Sequence, residues 1–325
     1  MSKLRRYRHL SVSVAALFLV LMFAWWYGPT PGGAGWARDN VTLHSLITEE
    51  GEIILQTALP VRKGDIYITA DNRRFTAVAV KDGVAGMRFD GYEQLSQGKA
   101  EAPSDLAPWL LAGDLKLGDQ DGVVEAMPEA GGARLVVLYH THSDESYIQG
   151  DGFSNAPGLR SGGIYQVGDA MTASLQTDGW TVYHDLTNHS PHDAMAYTRS
   201  RRTVFQDLTL RPFALFDVHR DAGPGGPYAW SFQGQPTSKV LLVVGQQNPL
   251  MLVNMFLAER LKGVADYLYP GLVKGIFIAH GNYNQDLDPG ALLLEFGTEQ
   301  TPKTAAQNGA ALFGHVISAT LGPAK

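Results

Sequence analysis

The chain of 325 residues has a net charge of −6 and the composition of a globular protein, with 45% apolar and 10% aromatic residues. This length suffices for about two folded units, and the apolar content excludes a chain that is disordered throughout. The sequence has no cysteine, which excludes disulfides, thiolate metal sites and a cysteine nucleophile and leaves His, Asp and Glu as potential metal ligands.

The N-terminus has the pattern of an uncleaved membrane anchor. Residues 1–9 carry four basic side chains, Lys3, Arg5, Arg6 and Arg8. Residues 10–27 form an apolar run that ends in Trp25, Trp26 and Tyr27. A run of about 18 apolar residues can cross a bilayer, and an aromatic end is typical of an anchor rather than of a signal-peptide cleavage site. The positive-inside rule predicts a cytoplasmic tail at 1–9, a single span at 10–27 and an extracytoplasmic remainder.

The part of the chain after the predicted span is acidic. Four of the 26 Lys and Arg residues precede the span and none of the 32 Asp and Glu residues does, so the remainder carries a charge of about −10. This charge argues against a nucleic-acid partner. Residues 28–45 begin with a Gly- and Pro-rich stretch that predicts a linker.

Two segments of different character follow. Residues 46–92 alternate apolar and polar side chains, with turn residues at Asp71-Asn72 and Asp82-Gly83, which predicts a small β domain. Residues 93–132 contain scattered Pro, Gly and acidic residues, which predicts a second linker.

Residues 133–325 alternate buried apolar runs with helical patterns. The predicted strands are 135–139, 180–183, 213–218, 240–244, 275–278 and 292–296, and the predicted helices are 167–176, 194–208, 251–268 and 304–321. For the last helix we expect Thr301 as N-cap and Pro302 at the first helical position. This alternation predicts an α/β domain with a mostly parallel sheet flanked by helices.

Three of the predicted strands end in residues that can bind a metal or move a proton. One strand leads into His140, His142 and Glu145, another reaches His219, and the last closes on Glu295. Ligands collect at the carboxyl ends of parallel strands, so we expect these side chains to meet at one edge of the sheet. Burying the carboxylate of Glu295 is costly unless a cation lies near it or its pKa rises.

Two histidines, a glutamate and a further glutamate are the residue set of a catalytic zinc site with a general base. Zn²⁺ is the predicted cofactor because it prefers such nitrogen and oxygen ligands. Glu295 is the predicted base, taking a proton from water and passing it to a leaving nitrogen. Glu145 is the only glutamate between the histidines of the two strand ends, with Asp144 and Asp217 as alternative ligands.

Other readings of the sequence have less support. The remaining histidines are predicted to be solvated or structural: His184, His189, His192, His280 and His315. A serine hydrolase is a competing hypothesis, but the sequence has no Gly-x-Ser-x-Gly elbow. It also has no P-loop and no dinucleotide-binding fingerprint.

Four motifs in order resemble the stage II sporulation protein P family of endospore-forming bacteria. They are YHTHSDESY at 139–147, DVHRD at 217–221, YNQDL at 283–287 and LLLEFG at 292–297. The predicted β domain, with GDIYITADN at 64–72, resembles the segment that precedes the catalytic domain in that family. The strand ends more distantly resemble zinc-dependent N-acetylmuramoyl-L-alanine amidases, in which the first histidine ligand matches His142 better than His140. The glutamate ligand of those amidases lies further along the chain than Glu145 does here.

The resemblance implies a membrane-anchored peptidoglycan hydrolase. It implies cleavage of the amide between N-acetylmuramic acid and L-alanine, with a possible second cut in peptide cross-links. It also implies work at the sporulation septum or engulfing membrane, with stage II sporulation proteins D and M as partners.

Roles beyond the predicted metal ligands and base stay open. Arg220, Tyr283 and Asn284 are candidate substrate contacts, because a guanidinium can pair with stem-peptide carboxylates. An internal ion pair of Arg220 with Asp217 or Asp221 is the structural alternative. The competing hypotheses for the whole protein are a catalytically silent wall-binding scaffold, and a β domain that docks membrane partners while the C-terminal domain cuts.

Overall fold

The computed structural model of the protein describes residues 42–95 and 134–322. The predicted cytoplasmic tail, the predicted span and most of the two predicted linkers lie outside these residues and stay predictions. Within the described ranges, no helix has the length and apolar character needed to cross a membrane.

Among the residues that the structure describes, eleven strands form one sheet. They are β1 (His44–Thr48), β2 (Ile53–Thr57), β3 (Ile66–Thr69), β4 (Arg73–Lys81), β5 (Val84–Tyr92), β6 (Leu135–Tyr139), β7 (Thr181–His184), β8 (Ala214–Asp221), β11 (Val240–Gly245), β12 (Val273–Ala279) and β13 (Ala291–Thr298). Their order is β2-β1-β5-β4-β3-β12-β11-β13-β8-β6-β7. A separate hairpin pairs β9 (Ala229–Phe232) with β10 (Gln235–Ser238).

Within residues 42–95 and 134–322, four long helices accompany the sheet: α1 (Ile164–Thr177), α2 (Ala196–Asp207), α3 (Met251–Leu268) and α4 (Lys303–Leu321). Short helical turns lie at Ile148–Asp151, Leu208–Leu210, Gly226–Tyr228 and Gln285–Leu287. The expectation for the start of the last helix is wrong. Pro302 occupies the N-cap position of α4, and the Thr301 hydroxyl instead accepts a hydrogen bond of 2.9 Å from the backbone N–H of Thr298, closing the turn that leaves β13.

The six strands of the C-terminal part confirm a mostly parallel sheet flanked by helices. β7, β6, β8 and β13 are parallel neighbours, and β11 and β12 are parallel to each other but run opposite to β13. β8, β11, β12 and β13 are buried along their whole lengths. Continuous apolar runs in the sequence are what such doubly covered strands require.

The β unit at 46–92 continues this sheet. β3 pairs antiparallel with β12, where Thr69 lies opposite Gly275. A Cβ at Gly275, which has φ +156°, would lie 2.4 Å from the Ile68 carbonyl oxygen, so only glycine fits this close approach. Apolar residues of β1, β2 and β4 share one core with residues of β11, β12 and β13. The β unit and the α/β part therefore have one sheet and a common core.

The two faces of the sheet have different partners. Val218 and Leu294 belong to the core formed with residues of α1, α3 and α4, whereas Leu293 belongs to the core shared with the β unit. Successive side chains of a strand point to opposite faces. The odd-numbered residues of β8 and β13, which include His219 and Glu295, therefore project away from those helices.

Candidate metal centre

Three buried side chains meet beyond the carboxyl ends of β6 and β8. His142, Glu145 and His219 each place one potential ligand atom within 4.8 Å of the others. Glu145 Oε1 lies 3.1 Å from Nδ1 of His142 and 3.4 Å from Nδ1 of His219. One carboxylate oxygen thus lies between two imidazole nitrogens, one from the loop after β6 and one from β8.

The spacing and chemistry of these atoms fit a zinc ion. Ligand atoms about 2.0–2.2 Å from a tetrahedral zinc lie roughly 3.3–3.5 Å from one another, and His nitrogen and Glu oxygen are common zinc ligands. The two measured contacts of Glu145 are close to that separation. His142, Glu145 and His219 are therefore placed to hold such a metal, and their role as ligands stays a prediction.

The loop after β6 places Glu145 by close backbone packing. Glu145 Oε2 accepts a hydrogen bond of 2.8 Å from the backbone N–H of Arg220, and the Glu145 carbonyl accepts one of 3.1 Å from the N–H of Ile164. A Cβ at Gly162 would lie 2.0 Å from the Glu145 carbonyl oxygen. Hydrogen bonds from Ile164 on one side and from Arg220 of β8 on the other therefore hold Glu145 in place.

The alternative third ligands lie elsewhere. Asp144 Oδ1 contacts His192 Nδ1 at 2.9 Å, and its Oδ2 accepts a hydrogen bond of 3.2 Å from Asn155. Asp217 Oδ1 lies 2.8 Å from Nε2 of His219, on the side of that ring away from Glu145. This contact has the distance of an ion pair without the angle of a hydrogen bond. Asp217 therefore contacts the ring nitrogen of His219 that is remote from Glu145.

The charges of the centre compensate one another. Burial alone would raise the pKa of Glu145, but His219 and the hydrogen bonds from both histidines hold the pKa well below its usual range. Burial would lower the pKa of His219, and Asp217 and Glu145 raise it well above the ordinary value. Burial and the neighbouring His192 lower the pKa of His142 to about 4. A neutral His142 is the form that can donate a lone pair to a metal.

His140, the alternative first ligand, does not join the group. Its Nδ1 lies 2.8 Å from the Val218 carbonyl oxygen and its Nε2 lies 2.8 Å from Nε2 of His184. Both ring nitrogens are therefore engaged away from Glu145. Because side chains two residues apart leave a strand end in different directions once the strand breaks, the sequence alone could not choose between His140 and His142.

Glu295, the predicted base, lies beside the metal group. It is opposite His219 in the parallel register of β13 and β8 and is 3% exposed. Burial raises the pKa of Glu295 well above its usual range, against the opposing effect of His219. Its Oε2 is buried and lacks a hydrogen-bond partner among the described residues. An orphaned buried carboxylate oxygen at this place is a group suited to a proton or to a water molecule.

Two of the three predicted substrate contacts have internal partners. Arg220 donates from Nε to the Ser146 carbonyl at 3.0 Å and from a terminal nitrogen to the Ser154 carbonyl at 2.6 Å. Asn284 is buried and donates to the Tyr197 carbonyl at 3.2 Å and to the Ser200 hydroxyl at 3.0 Å. Arg220 thus has internal partners, but the expected ion pair with Asp217 or Asp221 is replaced by backbone carbonyls and by Glu299, whose Oε2 lies 3.9 Å from Nη1.

Tyr283 lies at the edge of the site, where an aromatic wall links it to the ligands. Its half-buried ring is 5.7 Å from the ring of Tyr197, which in turn is 5.5 Å from the ring of His142 and 6.5 Å from that of His219. Tyr197 carried no signal in the sequence, because a tyrosine in the first turn of a helix is ordinary.

His192 was predicted to be solvated or structural but belongs to the site. Its ring stacks on His142 with centroids 3.8 Å apart and planes inclined by 22°, and its Nδ1 contacts Asp144 at 2.9 Å. His189 has the predicted structural role, since its ring nitrogens contact the His140 carbonyl at 2.7 Å and the Thr203 hydroxyl at 2.8 Å. The position of His192 outside the strand ends gave no reason to select it.

Comparison with known sequences identifies a family. The family described as stage II sporulation protein P matches residues 93–318. Stage II sporulation protein P of Bacillus subtilis (strain 168) is 29% identical over 184 residues, which cover 51% of this chain and 46% of that protein. The chain thus aligns with about half the length of this curated relative.

Several solved amidases have a partial structural likeness. An N-acetylmuramyl-L-alanine amidase from Mycobacterium smegmatis has 14% identity and a TM-score of 0.39, covering 58% of this chain and 96% of that one. An N-acetylmuramoyl-L-alanine amidase of Nostoc punctiforme has 16% identity and a TM-score of 0.36, with coverages of 57% and 96%. The CwlD amidase from Clostridioides difficile, in complex with the GerS lipoprotein, has 13% identity and a TM-score of 0.33, with coverages of 56% and 95%. At these TM-scores the likeness supports no inference about function.

Proposed function

This chain belongs to the stage II sporulation protein P family, and we propose that it is a zinc-dependent N-acetylmuramoyl-L-alanine amidase that hydrolyses peptidoglycan during sporulation. The observation that carries the proposal is the position of Glu145 Oε1 between Nδ1 of His142 and Nδ1 of His219, with Glu295 opposite His219 on the adjacent strand. Three ligands and a nearby carboxylate are the minimum set for metal-assisted hydrolysis of an amide.

The residues divide the chemistry between them. When bound by such ligands, zinc polarises an amide carbonyl and lowers the pKa of water. Glu295 takes the proton of the attacking water and delivers it to the leaving amide nitrogen. Burial raises the pKa of Glu295, and a cation at the ligands would counter that effect and leave the carboxylate ionised, as a base must be.

The aromatic wall gives the substrate a surface beside the ligands. Tyr197 and Tyr283 present half-buried rings there, whereas Arg220 and Asn284 are occupied internally. The substrate therefore contacts the site through ring faces and hydroxyls more than through a guanidinium. Aromatic lining with a few placed polar groups is the usual composition of a ligand pocket.

Location and partners form part of the same proposal. Residues 10–27 anchor the protein in the membrane with residues 1–9 in the cytoplasm, so that the hydrolase faces the wall at the sporulation septum or engulfing membrane. By family resemblance the partners are stage II sporulation proteins D and M.

Product analysis by mass spectrometry tests the proposal. Purified protein is incubated with purified peptidoglycan, with and without a chelator, and after chelation with added Zn²⁺. We expect free stem peptides that begin with L-alanine, their loss on chelation and their return with zinc. Fragments cut within cross-links would show an endopeptidase in place of, or beside, the amidase. If the protein binds zinc but cleaves no bond, the amidase proposal is wrong and the hypothesis of a catalytically silent wall-binding scaffold is favoured.

A further inference from the structure

A chain of buried hydrogen bonds leads from the turn that carries Tyr283 to the back of the metal centre. Asn284 Nδ2 donates to Ser200 Oγ at 3.0 Å, Ser200 Oγ lies 2.7 Å from Thr141 Oγ1, and Thr141 Oγ1 lies 2.7 Å from Asp217 Oδ2. Asn284, Ser200, Thr141 and Asp217 are each at most 5% exposed. These hydrogen bonds connect four separate segments of the sequence.

The direction of the hydrogen bonds is determined by the number of protons. Thr141 has one hydroxyl proton, and the Asp217 carboxylate is a stronger acceptor than the Ser200 hydroxyl. Thr141 therefore donates to Asp217 Oδ2, and the single Ser200 proton goes to Thr141 Oγ1 at 2.7 Å rather than to the more distant Tyr197 carbonyl at 3.2 Å. The backbone N–H of Thr141 donates to Asp217 Oδ1 at 2.8 Å, so that Thr141 holds both carboxylate oxygens.

We propose that Thr141 and Ser200 are positioning residues of the metal centre, which act through Asp217 on His219. Asp217 Oδ1 lies 2.8 Å from Nε2 of His219, and Nδ1 of that ring faces Glu145. A carboxylate this close to the remote nitrogen of a metal-binding histidine increases the basicity of the ligand nitrogen through its negative charge. The inference rests on the proposed metal site, which it deepens.

Asn284 connects this chain to the substrate edge of the site. Tyr283 and Asn284 both have left-handed backbone angles, with φ of +54° and +58°, a conformation that asparagine adopts readily but that is uncommon for tyrosine. Arg201 holds the same turn through two contacts of 2.7 Å with Asp286. Asn284 therefore couples the position of the Tyr283 ring to the position of His219.

A purely structural role makes a different prediction. If the two hydroxyls only satisfied each other in the core, their removal would lower the free energy of unfolding without changing the affinity of the folded protein for a metal. Thr203 offers a matched control. It is on the same helix as Ser200, and its buried hydroxyl lies 2.8 Å from His189 Nε2, outside the row of hydrogen bonds that leads to Asp217.

The test is the Zn²⁺ affinity of the full-length protein, measured by competition with a chromophoric chelator and without any substrate. We expect Thr141→Val to weaken zinc binding by about 10- to 100-fold, as loss of a residue behind a metal ligand typically does. Ser200→Ala should weaken it in the same direction by less. Thr141→Ser, which keeps the hydroxyl, should restore the affinity, and Thr203→Val should leave it unchanged. Thermal unfolding of each variant verifies that it is folded.

The outcomes separate this inference from the proposed function. If the unmodified protein binds zinc and the folded Thr141→Val and Ser200→Ala proteins bind it equally well, the positioning role is wrong and the metal site stands. If Thr203→Val weakens binding as much as Thr141→Val does, the effect is one of general stability and the inference also fails. If the unmodified protein binds no zinc, the proposed zinc-dependent function and the positioning role are both wrong.

Discussion

Glu295 lies directly opposite His219 across two parallel strands. Because the neighbours of both residues on the strands face the helices, these two side chains project from the same face of the sheet. The proposed base and one proposed metal ligand therefore hold their spacing through backbone hydrogen bonds of β13 and β8. A rigid pair of this kind lets the function of each residue be tested separately.

Replacing the proposed base should remove catalysis without removing the metal. We expect Glu295→Gln to lower the rate of stem-peptide release by about 10²- to 10⁴-fold, the usual contribution of a general base, while zinc stoichiometry stays unchanged. Kinetics on purified peptidoglycan and metal analysis of the same sample measure the two effects. Loss of zinc together with activity would instead make Glu295 a ligand.

Replacing Glu145 should remove both the metal and catalysis. Glu145→Ala removes the oxygen that lies between the two imidazoles, so we expect zinc to be lost and hydrolysis with it. Asp144→Asn serves as the comparison, because Asp144 contacts His192 and Asn155 outside the ligand group. Elemental analysis of both variants after dialysis decides whether Glu145 or Asp144 is the ligand. Loss of zinc from the Asp144 variant alone would show that Asp144 is the ligand.

His140 should be needed for stability and not for metal binding. His140→Ala removes buried contacts with the Val218 carbonyl and His184, and unpaired buried polar groups cost about 1–3 kcal/mol each. We expect a lower melting temperature and full zinc stoichiometry. A folded variant without zinc would contradict the assignment of His142 as the first ligand.

The junction between the β unit and the rest of the sheet should depend on Gly275. A methyl group there meets the Ile68 carbonyl at 2.4 Å, so we expect Gly275→Ala to lower the free energy of unfolding by about 2 kcal/mol or more. Gly86→Ala is the matched control, since its Cβ would have no neighbour within 4 Å. Urea unfolding of both variants is the measurement, and equal stabilities would show that the close approach of Ile68 does not exclude a methyl group at position 275.

Asp65 should make stability depend on pH. Burial raises its pKa from 3.8 to about 6, so the folded state binds the proton more tightly than the unfolded state does. Stability from this group is therefore present below about pH 4 and lost as the pH rises to about 6. We expect Asp65→Asn to be more stable than the unmodified protein by about 1–3 kcal/mol at pH 7. Urea unfolding between pH 4 and 8 measures this difference, and a difference that does not change with pH would contradict the shift.

The main secondary structure and the meeting place of the site residues followed from local pattern. The apolar runs predicted the central strands to within a few residues, because strands buried on both faces are made mostly of apolar residues. Parallel strands end at the same edge of a sheet, so the residues after β6 and on β8 and β13 were expected to converge. In the part of the chain that the structure describes, His142, Glu145, His219 and Glu295 lie close together.

The pairing of distant segments was a matter of tertiary structure alone. The alternation in residues 46–92 predicted strands, but nothing local shows that β3 hydrogen-bonds to β12. Likewise, buried polar side chains take whichever partners the folded chain brings to them. Arg220 and Asn284 have chemistry suited to a substrate, yet backbone carbonyls and a hydroxyl satisfy their donors.

The sequence by itself determined the central strands, the long helices, the candidate ligands and the strand ends at which they gather, but not the β9–β10 hairpin. Only the tertiary structure decided that His142 rather than His140 faces Glu145, that His192 stacks on His142, and that Thr141 and Ser200 lie behind Asp217. The physical reason is that periodicity reports which face of an element is buried. It carries no information about which side chains from other elements share that buried space.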